Sequence, residues 1–353
     1  MDFSYRFPAV RGIQANREYY IAMLPMKLLP VLFPTDADGV LPEFRAQRRI
    51  NEERIPEIKK YILRNRETYV FSALSASIDG NFKFEKLHNI DLGVLDIEMG
   101  SVFLINDGQH RKAAIELAME EDATLGEETI SIVFFKDEGL TRSQQMFTDL
   151  NKHAVKTSNS LATLYDSRDE IAVATKHIID QIPFFKKYTD KERDILGKNS
   201  MHLFTLHTIY KANQKILHSN KCTDMDEAFL FSYWKNITQN IHEWRELMDR
   251  KLTKKAIREN YIISLSITIL ALGKLGRYFY DNPQNMYSYL TRLRKIDWLR
   301  SNKHWEGRII RENGKVSNSD DSATLACIEI KKIIGIVLSK EEQQRELSFT
   351  ERK

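Results

Sequence analysis

The residues best suited to chemistry form one pentapeptide: Asp107, Gly108, Gln109, His110 and Arg111. The apolar run before it predicts a short buried strand, and the small apolar residues after it predict a closely packed helix. Gly108 permits a sharp turn between the two elements, and Asp107 is placed to cap the helix. A helix start offers free backbone N–H groups and the positive end of the helix dipole. With a guanidinium beside it, this arrangement predicts a phosphate-binding turn.

Two other interpretations of the pentapeptide stay open. His110 with Asp107 could activate a water molecule, and these two would be the catalytic residues if the protein were an enzyme; the sequence shows no Ser or Cys nucleophile on a suitable turn. No second His, Cys or carboxylate lies at metal-ligand spacing from His110, so we expect no metal. In the purely structural interpretation, Arg111 makes an internal salt bridge within a tight turn.

Basic residues are concentrated on a predicted helix from Arg48 to Arg66. Asn51 is a plausible cap for this helix, and Pro56 is tolerated in its first turn. Its cations could follow a phosphate backbone, or they could form a solvated helix face, because glutamates interrupt them. Besides the pentapeptide, the residues expected to bind DNA phosphates are Arg48, Arg49, Arg54 and Asn151. Asn151 ends a later predicted helix, where it could equally be a structural cap.

Two basic runs occur in the second half of the chain. The first comprises Arg250, Lys251, Lys254, Lys255 and Arg258. The second is interleaved with Trp298 and Trp305 and comprises Arg292, Arg294, Lys295, Arg300, Lys303, Arg308 and Arg311. Cations beside aromatic residues suit contacts to phosphate and base, although such tryptophans more often pack a helix junction. No recognition helix of the helix-turn-helix type can be singled out.

Bulk properties place the chain among ordinary soluble proteins. Its 353 residues are enough for two domains, and its net charge of +4 is too small to establish nucleic-acid binding. Cys222 and Cys327 are far apart and are expected to be packed thiols in a reducing, cytoplasmic compartment. No signal peptide is visible. The most apolar stretch, 261–272, is shorter than the ~20 residues of a membrane span.

The hydrophobic pattern predicts an α+β protein with an α/β domain at 1–165 and an all-α domain at 166–353. The predicted strands are 17–24, 69–78, 92–97, 102–106 and 129–135. A hairpin-type turn is expected at 79–81. The strongest helices predicted for the second domain are 171–182, 201–217, 226–249, 261–280 and 323–338.

Three segments of the chain resemble the DGQHR-domain family, and within it the DndB proteins of DNA sulfur modification. They are the stretch 49–62, the stretch 105–115 around the pentapeptide, and the stretch 146–153. The stretches 7–14 and 296–305 are also similar to that family, so the likeness covers most of the chain. More distantly, the first domain is similar to the ParB and sulfiredoxin superfamily, which implies a ParB-like α/β fold.

The ParB likeness also implies roles for individual residues. Gly108 and Arg111 would hold a phosphate, Gln109 and His110 would line it, and Asn151 would lie opposite. This chain has Gln-His where many ParB proteins have Glu-Arg. It therefore lacks a carboxylate that could serve a metal–nucleotide complex, which argues against nucleotide hydrolysis.

The DndB likeness implies a DNA-binding transcriptional repressor of a DNA phosphorothioation operon. Its expected partners are double-stranded DNA at its own promoter, which could carry phosphorothioates, and other DNA sulfur modification proteins. We expect a cytoplasmic homodimer without a cofactor, in which Arg111, His110 and the 48–66 helix contact the DNA backbone. The helical domain would add DNA contacts or dimerise.

Two rival functions follow from the same residues. The first is a ParB-like enzyme of the same system that binds and slowly hydrolyses a nucleotide, or nicks DNA, in a manner that requires Asp107 and His110. The second is an interaction module that docks other modification proteins without binding DNA. Phosphate release or plasmid nicking would favour the enzyme, and failure to shift any DNA would favour the module.

Overall fold

A computed structural model of the chain describes residues 3–34, 52–152, 157–197, 200–219 and 221–351, and gives only the backbone of residues 52, 140, 147, 151 and 152. The chain divides into two compact units, Met1–Val155 and Lys156–Lys353. The sequence pattern placed the boundary near Tyr165, and the two placements differ by a short helix. The first unit combines a large sheet with helices and the second is nearly all helical, which confirms the α+β class.

The first unit is built on a seven-stranded sheet in the order β4-β5-β1-β2-β7-β3-β6. Its strands are β1 Ser4–Gln14, β2 Arg17–Pro25, β3 Leu74–Asp79, β4 Phe82–Lys86, β5 Leu92–Glu98, β6 Val102–Asp107 and β7 Thr129–Lys136. Among the described strands of this sheet, β3 and β7 form the one parallel pair. The predictions of β2, β5, β6 and β7 are confirmed. β1 was not predicted, because Pro8 and Val10 interrupt the alternation of polar and apolar residues.

The sheet is strongly rolled. β3 and β4 are separated in sequence only by Gly80 and Asn81, yet β4 is the first strand of the order and β3 the second from its other end. The three steps from Asp79 to Phe82 span at most about 11 Å, so the two sides of the sheet must approach each other there. The turn predicted at 79–81 exists, but the prediction that it closes a hairpin was wrong, since β3 and β4 do not pair. The strand predicted from Tyr69 begins only at Leu74.

The inner face of this sheet carries the core of the first unit. Side chains from all seven strands, among them Phe7, Tyr20, Leu95 and Phe134, pack with the helices inside the roll. The helices of this unit are α1 Leu29–Leu32, α2 Ile55–Arg64, α3 Gln109–Glu121 and α4 Leu140–Lys152. Pro56 lies in the first turn of α2, as predicted. The α-helix begins at Ile55 and not at Arg48, because a 3-10 turn at Glu52–Arg54 precedes it; Asn51 lies outside the described residues.

The second unit is a bundle of helices around one apolar core. Its helices are α5 Asn159–Tyr165, α6 Glu170–Gln181, α7 Pro183–Tyr188, α8 Leu206–Leu217, α9 Asp224–Asn240, α10 His242–Met248, α11 Lys254–Asn260, α12 Ser266–Asp281, α13 Met286–Leu290, α14 Asp320–Ile334 and α15 Lys340–Glu351. Two-residue strands β8 Thr189–Asp190 and β9 Phe204–Thr205 pair in parallel. The helix predicted over 226–249 is interrupted at Ile241, which leaves α10 as a separate helix.

Both cysteines are free thiols of the second unit. Cys327 is buried in its core, and burial raises the pKa of its thiol to about 12. Cys222 is half-buried, and burial raises its pKa to about 12 as well. The prediction of packed thiols is confirmed. Among the described residues, no helix combines the length and the apolar character needed to cross a bilayer.

The last helix, α15, is held by charges rather than by apolar packing. None of its residues is buried. Glu346 accepts hydrogen bonds from Arg308 at 2.7 and 2.8 Å and from Lys332 at 2.7 Å, and Glu342 pairs with Lys331 at 2.6 Å. Arg308 lowers the pKa of the Glu346 carboxyl from 4.5 to about 2, with a smaller contribution from Lys332.

We therefore expect the stabilisation by Glu346 to be present in full above about pH 4.5 and to be lost as the pH falls towards 2. The measurement is denaturant unfolding of the wild type and of Glu346→Gln across this range. The wild type should be more stable at neutral pH, and most of the difference should be lost by pH 2, where the Glu346 carboxyl is about half protonated in the folded protein and almost fully protonated in the unfolded one. A difference that is absent at pH 7, or that is undiminished at pH 2, would contradict this assignment.

Candidate nucleic-acid interface

The pentapeptide at 107–111 joins strand β6 to helix α3, as predicted. β6 ends at Asp107, and α3 begins at Gln109. Gly108 between them has a φ of +104°, and a Cβ at this position would lie 2.3 Å from Cδ2 of Leu74. Only glycine combines this backbone conformation with so close an approach. The turn is therefore defined by the local sequence.

Arg111 is bonded inside the first unit. Its Nη1 donates to the carbonyl oxygens of Ser72, at 2.6 Å, and Ala73, at 3.0 Å, and to Oγ of Ser72 at 2.5 Å. Its Nη2 donates to Oδ2 of Asp107 at 2.7 Å, and the side chain is only 17% exposed. The guanidinium thus ties the segment before β3 to the start of α3.

This geometry corrects the expected cap and bears on the role of Arg111. The N-cap residue of α3 is Gly108 and not Asp107, and the Asp107 carboxylate accepts from Arg111. Nη1 of Arg111 already has three protein acceptors and Nη2 has one, so most of the hydrogen-bonding capacity of these two groups is used within the protein. Of the two roles considered for Arg111, the structure shows the internal salt bridge.

We expect Arg111→Met to lower the free energy of unfolding of the first unit by about 2–3 kcal/mol, because Asp107 and two carbonyl groups lose their charged donor. The four tryptophans, at 234, 244, 298 and 305, all lie in the second unit, so the readout is hydrogen exchange in β3 and α3. Arg64→Met is the matched control: Arg64 is exposed with no ion pair to a described residue, and its replacement should change stability by less than about 0.5 kcal/mol. If Arg111→Met and Arg64→Met lower the stability of the first unit equally, Arg111 does not tie the segment before β3 to the start of α3.

Two buried polar atoms at the turn have no hydrogen-bond partner among the described residues. They are Nε2 of Gln109 and Oδ1 of Asn106, both inaccessible to solvent. Asn106 is 1% exposed, and its Nδ2 donates to Oγ of Ser77 at 2.7 Å. His110 is half-buried. Buried polar groups are normally satisfied, so these two call for a water molecule or another polar partner.

The basic helix before the turn offers few free cations. Arg48 and Arg49 lie outside the described residues. Lys59 pairs with Glu121 at 2.6 Å. Arg66 pairs with Asp122 at 2.8 Å and with Glu128 at 2.6 Å. Arg54, Lys60 and Arg64 are exposed, but Glu53 and Glu57 are exposed on the same stretch, so the described part of this segment is a mixed-charge face. Asn151 lies in the last turn of α4, and its side chain is outside the described part of the chain.

The basic run at 292–311 is largely structural. Trp298 and Trp305 are fully buried and stack with ring centroids 5.5 Å apart, so they pack the core. Arg308 is 5% exposed and pairs with buried Glu329 at 3.0 Å. Three further arginines of the run, Arg292, Arg294 and Arg300, donate to backbone or side-chain oxygens of the same unit. The packing interpretation of the tryptophans is confirmed.

The basic run at 250–258 is different, and with Arg245 it forms what we call the α10–α11 basic surface: Arg245, Arg250, Lys251, Lys254 and Lys255. All are exposed except Lys254, which is half-buried with Nζ 2.9 Å from the Met201 sulfur. Within the described part of the chain, their one ion pair joins Lys255 to Glu259 at 4.0 Å. Four exposed cations and the half-buried Lys254 thus lie along α10, α11 and the turn between them, against the exposed carboxylates of Asp249 and Glu259.

Arg250 occupies an unusual backbone position in this surface. Its φ is +61°, in the left-handed region that favours glycine. It follows the end of α10, where its N–H donates to Leu247 and the N–H of Lys251 donates to Glu246, both to carbonyl oxygens. This is a Schellman motif, which ordinarily places glycine at that position. Arginine at this position carries a backbone strain that glycine would avoid.

Sequence reasoning missed Ser72 and Arg245. Ser72 lies 39 residues from Arg111, and no local pattern announces that contact. Arg245 was not predicted because it precedes the basic run in the sequence. It lies one turn before the end of α10, next to that run.

One protein-family model matches most of the chain. The model of the DndB family, described as DNA-sulfur modification-associated, matches residues 7–337. No curated protein and no solved structure matches the chain. The likeness to ParB and sulfiredoxin stays a prediction, since no match bears on it. The chain belongs to the DndB family and is involved in DNA sulfur modification.

Proposed function

We propose that this protein is a DNA-binding transcriptional repressor of a DNA phosphorothioation operon, and that it holds the DNA backbone through the α10–α11 basic surface. The observation that carries the proposal is the set of exposed cations on that surface. Their one ion pair within the described part of the chain is the 4.0 Å contact to Glu259. Cations without carboxylate partners are the groups that neutralise phosphates in protein–DNA complexes.

Membership of the DndB family supports the choice of DNA over other polyanions, because the family is associated with a modification of DNA. The comparison between the two basic runs supports the choice of surface. The arginines at 292–308 serve the fold, whereas the side chains of Arg245, Arg250 and Lys251 have no ion pair to a described residue. Three cations with no structural task are free to meet phosphates.

In this proposal the DGQHR turn has a supporting task. Arg111 fixes the start of α3 and the segment before β3, and it acts as a positioning residue rather than as a phosphate ligand. The backbone N–H groups at the start of α3, with Gln109 and His110, are the part of the turn that would face a phosphate. The rival enzyme would need Asp107 as a free carboxylate, yet Arg111 holds it.

The test is binding of the purified protein to the DNA upstream of its own operon, measured across salt concentrations. Five phosphate contacts predict a slope of log affinity against log salt of about −4.5, a loss of roughly 500-fold between about 50 and 200 mM salt. Deletion of the gene should raise transcription of the operon, and the intact gene should restore repression. If the protein does not bind this DNA even at the lower salt concentration, the repressor proposal is wrong and the interaction module is favoured. Phosphate release or nicking that requires Asp107 and His110 would favour the enzyme.

A further inference from the structure

Helix α15 lies on the second unit with little apolar packing beneath it. A surface helix normally buries an apolar stripe against the core. None of the α15 residues, all of which the structure describes, is buried, and Leu347 is 63% exposed. A cavity of about 290 Å³ remains between Phe349 of α15 and Lys303 and Lys332 of the rest of the unit. The main contact of an α15 ring is polar as well, since Phe349 lies 4.3 Å from the Arg308 guanidinium.

The carboxylates of α15 are placed against cations of the unit. The two oxygens of Glu346 accept from Arg308 at 2.7 and 2.8 Å, and one of them also accepts from Lys332 at 2.7 Å. Glu342 accepts from Lys331 at 2.6 Å. Two oxygens on one guanidinium, and single oxygens on ammonium groups, are also the arrangements in which these side chains bind phosphate. Glu342 and Glu346 thus occupy the positions that phosphate oxygens would take.

Without these two carboxylates the surface beneath α15 would be strongly basic. Glu329 would remain as the carboxylate partner of Arg308 and Lys332, and Lys331 would have none among the described residues. Lys303 borders the same cavity, is exposed and has no ion pair to a described residue. Four cations would then lie against the single buried carboxylate of Glu329. We call Lys303, Arg308, Lys331 and Lys332 the covered basic surface.

α15 is joined to the core by a short link. Ile336 is the last buried residue before the helix, and 337–339 contain no helix or strand. The helix start is capped within its own segment, because the N–H of Glu342 donates to Oγ of Ser339 at 3.2 Å and the N–H of Ser339 donates to Glu342 at 2.9 Å. The stretch that matches the family model, 7–337, ends before α15. The helix can therefore move away without removing a side chain from the core.

We propose that α15 is a displaceable cover on a second DNA-binding surface, and that the phosphates of duplex DNA compete with Glu342 and Glu346 for the covered basic surface. The inference rests on the proposed function for its ligand, DNA, and assigns that ligand a second set of side chains. Duplex DNA offers closely spaced phosphates, so it can replace both carboxylates at once. A ligand that binds only the open arrangement shifts the equilibrium towards it.

The test isolates this surface by weakening the other one. The reference protein is the full-length chain with Arg245→Gln, Arg250→Gly and Lys251→Gln, and the test protein adds Glu342→Gln and Glu346→Gln. Glutamine keeps the capping hydrogen bonds and removes the charge. Hydrogen exchange in α15 should become roughly tenfold faster, because charge-assisted hydrogen bonds become neutral ones. Affinity for a duplex of unrelated sequence should rise by the same factor, since the open arrangement is the one that binds.

The matched control adds Glu341→Gln and Glu351→Gln to the reference protein instead. Both glutamates are exposed on the same helix and have no ion pair to a described residue, so the change of charge is equal. Exchange and affinity should each change by less than about twofold. Saturating duplex DNA should also speed exchange in α15 of the reference protein, and this measurement decides the matter if the test protein does not fold by tryptophan fluorescence.

Three results would each overturn the inference. They are faster exchange in α15 with no gain in DNA affinity, an equal gain in the control, and an α15 that stays protected under saturating DNA. Failure of the proposed function gives a different result: the reference protein would then bind operator DNA as tightly as the wild type, whatever the two α15 variants do.

Discussion

A variant with Arg245→Gln, Arg250→Gly and Lys251→Gln should bind operator DNA about a thousand-fold more weakly than the wild type. Each charge-assisted hydrogen bond to phosphate is worth about 1.5 kcal/mol, which is about tenfold per contact. The slope of log affinity against log salt should become shallower by about 3. Gel shift across a salt series measures both quantities.

The fold should survive these changes. All three side chains are exposed, and Arg250→Gly replaces a residue of φ +61° by the one that favours this conformation. The unfolding midpoint should therefore be unchanged or higher. The matched control is Lys221→Gln, Lys315→Gln and Lys340→Gln, which removes three exposed lysines of the same unit that have no ion pair to a described residue. Equal losses of affinity in the two variants would show a bulk charge effect and would contradict the assigned surface.

Replacing Arg308 should destabilise the second unit by about 3 kcal/mol or more. Arg308 is 5% exposed and lies between Glu329, at 3.0 Å, and Glu346, at 2.7 Å. Removing one partner of a buried ion pair leaves an uncompensated charge, which costs about 3–5 kcal/mol. Arg308→Leu should therefore lower the denaturant midpoint followed by tryptophan fluorescence, which reports this unit.

Two further variants make this prediction specific. Arg345→Leu removes a 56% exposed arginine, 3.3 Å from Asp321, and should cost less than about 1 kcal/mol. Adding Glu346→Gln to Arg308→Leu should restore part of the loss, because it removes one of the two stranded carboxylates. If Arg308→Leu costs as little as Arg345→Leu, the prediction is wrong. His304 and Lys332, the remaining partners of Glu329, would then fully neutralise the Glu329 carboxylate.

Local features of the fold were predictable from the sequence and long-range ones were not. The strand, glycine and helix at 102–121 follow from residue types within a few positions, and the structure has them there. The strand from Tyr69 was predicted too long, because its first residues have strand-forming side chains but no neighbouring strand. The strand order, which keeps β3 and β4 from pairing, and the roll, which brings their ends together, depend on pairings that no local pattern encodes.

The same limit applies to the candidate site. In the sequence, Arg111 and the arginines at 292–308 look like phosphate ligands. Residue type alone does not distinguish them from the cations of the α10–α11 basic surface. Their partners Ser72, Glu329 and Glu346 lie far away in the chain and decide that these guanidinium groups serve the fold. Which cations remain free is a property of the folded molecule.

Lysine footprinting tests the central claim most directly. The complex with operator DNA and the free protein are treated with an amine-reactive reagent, and modification of each lysine is quantified by mass spectrometry. We predict that DNA protects Lys251, Lys254 and Lys255 and leaves Lys315 and Lys340 reactive. Protection of Lys60 on α2, with the three lysines of the α10–α11 basic surface still reactive, would contradict the account.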